Sequence, residues 1–434
     1  MPNFPEEIIV EVLLRLPVKS LCQFRCVSKR WLSLISDHHF IKTHLNRSTN
    51  EPEQLILISN FSDFYSVDLK SFQFRDDFVA VHLKFPPEQN PNRGVDIWGS
   101  CDGLLLMLDI CFSCILVNPS TRESRKLPKS SFSESKFHLN SYGLGHDSSN
   151  DDYKVVRISN HDQDANCADN MVSVYTLRTN LWRRIEGSPY DHTVHGPSRG
   201  ILVRGALHWL ARKGVGSNKS TIIVSFDLAD ENFRDMPSPD SVDNFILVEE
   251  LGVLGGCLCV LVPGYGVCDY VWVMKEYGMR DSWIKFTINC NNFCKPLCLS
   301  TTGEVLLEVS QRKLVLFNPQ ERKSKELVVR GSPYLFEAGT YMESLVSPNF
   351  SNINDHEGSR LDIDALKVFE NNNNVAKTRY VDILGKSFNY MSLVPQVRPE
   401  ACDDSKTEAD SSMPKTFRLD ESSNPPSPCF SPFD

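Results

Sequence analysis

Cys111 and Cys114 have the spacing of half a zinc site, but no second CxxC or HxxxH pair exists to complete four ligands. In a strand their side chains would also point to opposite faces. Cys290, Cys294 and Cys298 recur at steps of four, which would align them on a helix, yet Pro296 and strand-like neighbours argue against one. Cys257 and Cys259 alternate within an apolar run and read as small buried hydrophobes. The sequence has no GxSxG elbow, no GxGxxG fingerprint and no GxxxxGK[ST] loop. His208, beside Trp209, reads as a core side chain. No catalytic residue, metal or cofactor is therefore expected.

The elements around these residues are those of a globular chain. It has 434 residues, 41% hydrophobic and 23% charged, with 25 Phe and 6 Trp to fill a core, which excludes wholesale disorder and fibrous classes. A net charge of −9 gives no general attraction to phosphate backbones or anionic lipid, so neither nucleic acid nor membrane is an expected partner. Glu6, Glu7 and Glu11 stand where a signal peptide needs a basic then apolar stretch. The uncharged run 251–268 carries five glycines and Pro263 and reads as two buried strands around a turn rather than a membrane span. The 14 cysteines are expected as free thiols in a reducing compartment, cytoplasmic or nuclear.

In the first 46 residues Ile8, Ile9, Val12, Leu13 and Leu16 share one helical stripe, with Pro5 at a favourable first position and Pro17 as a stop. A second helix is predicted over residues 18–26, and a third after Ser28 as N-cap, with Trp31, Leu34 and Ile35 on one face. Three such short helices bury too little to stand alone. The ordered string 4–8, then Val12-Leu13, Leu16-Pro17, Leu21 and 25–31 closely resembles the F-box, although Phe4 stands where that family more often has Leu. The resemblance implies docking onto a Skp1-like adaptor, and through it cullin-1 and a RING subunit. Carried over, it makes Pro5, Ile8, Val12, Leu13, Leu16, Leu21, Val27 and Trp31 the Skp1-facing or interface-supporting residues.

Beyond residue 50 the periodicity turns strand-like. Hairpin-like segments at 65–74, 116–125, 174–183, 225–234, 272–283 and 316–325 place Asp68, Asn118, Thr176, Asp227, Met274 and Asn318 at equivalent positions, 50, 58, 51, 47 and 44 residues apart. A period near 50 matches kelch-like propeller blades, and inner strands are predicted at 103–108, 153–158, 206–211 and 304–309. The motifs at 99–105, 142–156, 174–182, 204–210 and 341–346 are similar to the plant F-box-associated domain, in the family that includes the S-locus F-box proteins.

The predicted architecture is thus a three-helix F-box (1–46), an all-β, kelch-like propeller of about six blades (50–348), an irregular extension or weak further repeat (349–396) and a disordered tail (397–434). Ring closure is predicted by residues 341–346 pairing near residues 54–59. The resemblance implies a non-catalytic, substrate-recognition subunit of an SCF-type ubiquitin ligase, with S-ribonuclease recognition among the family's roles. A Skp1-bound scaffold and a propeller metalloenzyme are the alternatives. Target contacts are expected from long polar loops at 160–170, 186–198 and 213–220, with Asp162, Asp164, His192 and His195 as candidates.

Overall fold

Pro17 lacks an amide hydrogen and ends the first helical run, so the N-terminal segment breaks into α1 (Glu6–Leu13) and α2 (Val18–Phe24). Ser28 caps α3 (Lys29–Ile35), its hydroxyl accepting the Trp31 amide at 3.2 Å. Asp37 does the same at 3.0 Å for Phe40 in α4 (His38–Asn50). The bundle therefore has four helices, not three. The fourth is rich in His, Asn and Thr, so its apolar periodicity is weak, and its packed face combines Phe40, Ile41 and Leu45 with the buried His44.

These elements belong to a computed structural model that describes residues 6–349, apart from 51–53, 60–62, 69–76, 84–94, 110–111, 131–137, 162–169, 194–197, 215–219, 240–249, 263–268, 289–293 and 301. Pro5, Asp162, Asp164, His195, Cys111, Cys290, the weak further repeat and the tail lie outside the described residues. No helix among the described residues is long and apolar enough to cross a membrane.

The strands in chain order are β1 (Gln54–Ser59), β2 (Phe64–Asp68), β3 (Asp77–Val79), β4 (Val81–Leu83), β5 (Asp96–Cys101), β6 (Leu104–Leu108), β7 (Cys114–Asn118), β8 (Glu123–Lys126), β9 (His138–Asp147), β10 (Asp152–His161), β11 (Asn170–Thr176), β12 (Leu181–Ile185) and β13 (Ile201–Val203). They continue with β14 (Ala206–Lys213), β15 (Ser220–Asp227), β16 (Phe233–Met236), β17 (Glu250–Leu254), β18 (Cys257–Val262), β19 (Asp269–Met274), β20 (Trp283–Ile288), β21 (Cys294–Leu299), β22 (Val305–Val309), β23 (Lys313–Asn318), β24 (Lys323–Arg330) and β25 (Glu337–Met342).

Four consecutive quartets, β5–β8, β9–β12, β13–β16 and β17–β20, are antiparallel meanders, and β25-β1-β2-β4 makes a fifth four-stranded sheet. The sheet β21-β22-β23-β24 takes β3 as a parallel fifth strand. Five regular four-stranded blades and one augmented sheet thus replace the six like blades expected. The crossing of β3 also overturns the hairpin expected at 65–74, since the strand that returns on β2 is β4, at residues 81–83.

The equivalent Asn and Asp positions have a local cause. At Asn118, Asp227 and Asn318 the side-chain oxygen accepts two backbone amides of its own turn, at 2.8 to 3.3 Å, closing the outer hairpin before a left-handed residue (Arg122, Glu231, Arg322). Blades are stitched in a second repeated way. Trp182 donates its indole N–H to the Pro128 carbonyl at 2.8 Å, and Trp283 donates to Pro237 at 3.0 Å, each reaching the chain that leaves the preceding blade. The strands β6, β14 and β22 are almost wholly buried, which explains their mostly apolar composition, with His208 and Glu308 as buried polar exceptions.

The ring closes where β25 pairs antiparallel with β1 over six residues, from Gln54 opposite Met342 to Ser59 opposite Glu337. The closing strand therefore begins four residues earlier than the expected 341–346. Residues 343–348 do other work, described below. A chain ending at residue 396 is expected to keep a cooperative thermal transition and soluble yield. One ending at Gly339 loses half the closing ladder and exposes the β1 edge, and it is expected to aggregate. Equal melting curves for the two truncations would contradict this closure.

Candidate functional site

In an up-and-down sheet successive connections alternate ends. In the quartets, and in β21–β24, most first and third connections are tight, such as Asp102–Gly103, 119–122, 148–151, 177–180, Arg204–Gly205 and Gly255–Gly256; residues 275–282 are the longer exception. The second connections, and those leading to the next blade, include the long ones at 127–137, 162–169, 186–200, 214–219 and 237–249. The propeller therefore has a tight-turn face and a long-loop face. The strand ends that flank the three loops singled out from the sequence lie on the second, while residues 162–169, 194–197 and 215–219 of those loops lie outside the described residues.

The helices sit on the tight-turn face. His38 and Lys42 of α4 meet the Asp151 carboxylate at 2.8 and 2.9 Å, and Arg25 lies 3.7 Å from Glu123. Burial works against ionisation of Asp151, but hydrogen bonds from Lys42 and His38 outweigh it and hold the carboxyl well below its usual range. Residues 343–348 then run as a strap between helices and blades. Leu345 is buried in the helical core with Leu13, Leu14, Val18, Leu21, Ile35 and Phe40, while Val346 packs with Leu104, Leu116 and Leu127 of the β5–β8 blade. The Asn118 amide, fully buried, donates to the carbonyls of Ser344 at 3.0 Å and Val346 at 2.7 Å. Gly103, at φ +82°, lets the strap approach: a Cβ there would stand 2.3 Å from the Ser344 hydroxyl.

This docking divides the sequence-predicted adaptor residues into two groups. Leu13 and Leu21 are buried and Leu16 is half-buried, its carbonyl hydrogen-bonded to His44 at 2.9 Å. Trp31 is half-buried against Phe24, ring centroids 5.2 Å apart. Ile8, Val12 and Val27 are exposed by 51%, 54% and 63%. Leu32, absent from the sequence-based set, joins them at 47%. Its signal was there to read: it is an apolar residue off the Trp31–Leu34–Ile35 face. Glu11, beneath the exposed stripe of α1, is held at about 2 by hydrogen bonds from Arg47 and Arg15 and ties α1 to α4.

On the long-loop face the His192 expectation fails. The ring is 1% exposed, bonded to Ser188 at 2.8 Å and packed edge-on to Trp209, and burial holds it at about 4. A neutral buried imidazole is a packing element, and a target cannot reach it. His208 behaves as expected, bridging the Ile201 carbonyl and the Tyr277 hydroxyl at 3.0 and 2.8 Å. What the sequence did not reveal is a polar constellation at the long-loop mouth of the central channel. Arg199 donates to Glu337 at 2.9 Å, Lys295 reaches the same carboxylate at 3.2 Å, and Arg199 lies 5.8 Å above the Trp98 ring. No alternation or spacing links these residues, because each lies at or just before the start of a different inner strand. Among the described residues no group of acidic, His and Cys side chains is arranged to hold a metal.

Comparison with known proteins agrees with this geometry. Residues 54–347 match the F-box associated beta propeller domain, and residues 1–43 match the F-box domain. The chain belongs to the F-box-associated β-propeller family. Among plant relatives, F-box protein CPR1 of Arabidopsis thaliana is 33% identical over 382 residues, covering 80% of this chain and 89% of that protein. An F-box/kelch-repeat protein of the same plant is 32% identical over 363 residues, covering 80% of this chain and 96% of its own length. In this F-box protein the strap motif joins the two domains.

Two outcomes test the site. Asn118→Ala deletes two buried hydrogen bonds to the strap and strands their carbonyls, so a loss of about 2–4 kcal/mol is expected, with earlier proteolysis of the helices than of the blades. Uniform protection of both domains in the variant would count against the strap. Both His192 and His208 are depressed to about 4 by burial. Their contribution is full above the unfolded value near 6.5 and is lost as pH falls through 4. Melting temperature should therefore drop between pH 6.5 and 4, and His192→Gln with His208→Gln should flatten that slope.

Proposed function

We propose that this chain is the substrate receptor of an SCF-type ubiquitin ligase, working in the cytoplasm or nucleus. A Skp1-like adaptor binds the exposed apolar side chains Ile8, Val12, Val27 and Leu32, and links the chain to a cullin and a RING subunit. The buried Leu13 and Leu21, with the half-buried Leu16 and Trp31, hold those side chains in place.

The observation that carries the reading is the fixed placement of the helices on the tight-turn face, leaving the long-loop face for a target. A receptor of this kind contributes proximity rather than covalent chemistry. Holding a target at one end of a rigid body and the ligase at the other raises the effective concentration of target lysines at the conjugating enzyme. Scaffolding without ubiquitylation would use the helices but leave the long-loop face without a purpose. Among the described residues nothing on that face singles out an S-ribonuclease as the target.

The test replaces exposed and buried residues separately. Ile8→Asp with Val12→Asp puts two charges into a contact that must be desolvated, and is expected to weaken Skp1 binding at least about a hundredfold while the melting curve is kept. Leu13→Asp is expected to unfold the helices instead. Full Skp1 binding by the folded double variant would overturn the adaptor assignment.

A further inference from the structure

The channel mouth is built from residues at or just before the starts of the inner strands: Trp98 near the start of β5, Arg199 two residues before β13, Glu250 on β17, Lys295 on β21 and Glu337 on β25. Each of these strands is entered from the long-loop face, so the constellation lies at the end of the channel away from the F-box. A cavity of about 180 Å³ opens there. Gly339 lines it, and a Cβ at that position would meet nothing within 4 Å, so the space beside β25 is unfilled.

The charges in this mouth are unequally satisfied. Arg199 and Lys295 both spend their hydrogen bonds on Glu337. Among the described residues Glu250 has only the cation Lys295 near it, at 3.8 Å and beyond hydrogen-bonding range; its side chain is 26% exposed, and its inward Oε2 has no hydrogen-bond partner. Deeper, the carboxyl of Glu308 is 1% exposed and accepts the Ala338 amide at 2.7 Å, and burial raises its pKa. The mouth thus has one carboxylate, Glu250, with no hydrogen-bonded donor among the described residues. A protein docking over it removes water from Glu250, and that cost is offset only by a donor from the partner, best a charged one.

We propose that the channel mouth is an anchor pocket for one lysine or arginine side chain of the target, with Glu250 as its carboxylate and Trp98 as its wall. The pocket has room for a single long side chain, and the net charge of −9 favours approach of a basic partner. The assignment rests on the receptor reading, since it names what the long-loop face holds.

The experiment uses the full chain and N-acetyl-arginine amide, whose only charge is on the side chain, with the isosteric neutral N-acetyl-citrulline amide as control. Saturation-transfer NMR reads binding in the millimolar range. Binding of the arginine probe is expected, with the citrulline probe at least about tenfold weaker. Glu250→Gln is expected to weaken the arginine probe about tenfold, and Gly339→Leu to do so by filling the cavity without altering any charge. Equal binding of both probes, no binding of either, or binding indifferent to both substitutions would overturn the pocket. Skp1 binding measured on the same samples separates the two readings: its loss defeats the receptor assignment, whereas a failed probe with Skp1 still bound defeats only the pocket.

Discussion

Everything in this molecule depends on the ladder between β1 and β25. The first strand of the propeller and the last are separated by nearly the whole domain in sequence, and until they pair the remaining sheets form an open arc with two unpaired edges. Each backbone hydrogen bond in the ladder nets only about 1 kcal/mol, so their sum alone is modest. Its larger effect is to fix both ends of the arc at once, after which every blade has a neighbour on each side. The pairing of β3 with β24 repeats the logic at the rim, because the chain from Asp77 to Leu83 passes from the outer edge of the last blade to that of the first.

Closure also decides where the F-box goes. The residues that follow β25 leave the ladder where β1 begins, at Gln54 opposite Met342, and they turn across the tight-turn face as the strap. Its apolar side chains divide between two cores: Leu345 goes to the helices and Val346 to the β5–β8 blade. The helical bundle, too small to be stable by itself, thereby borrows hydrophobic surface from the propeller. The ion pairs at Asp151 and Glu123 orient this contact more than they strengthen it, as partly exposed pairs contribute little.

The parts legible in the sequence were those with a local cause. Pro17 and Ser28 mark helix ends through backbone chemistry confined to a few residues, and the Asn or Asp of the outer hairpins recurs because one side chain can cap one turn. The closing strand is legible as to partner but not as to register, because Glu337 to Thr340 have a mixed, weakly apolar pattern while the strap extends apolar residues past the strand's end at Met342. The fourth helix and the burial of His192 were not legible. Both are set by tertiary surroundings: α4 by packing under Leu345 and the blades, His192 by Trp209 and Phe233 from other strands. The same holds for the channel mouth, whose members are scattered from Trp98 to Glu337.

That scattering carries a functional consequence. In a propeller the inner strands contribute one or two residues each to the channel, so a site there is assembled only when the ring is closed. Glu337, which holds both cations of the mouth, lies on the closing strand itself, and the Ala338 amide beside it is anchored by Glu308 of the neighbouring blade. The geometry that completes the fold and the geometry that presents Glu250 to a partner are therefore set by the same strand. An unclosed chain would expose its edges and lack the mouth. A closed one has both its F-box strap and its channel mouth in place, at opposite ends of the propeller.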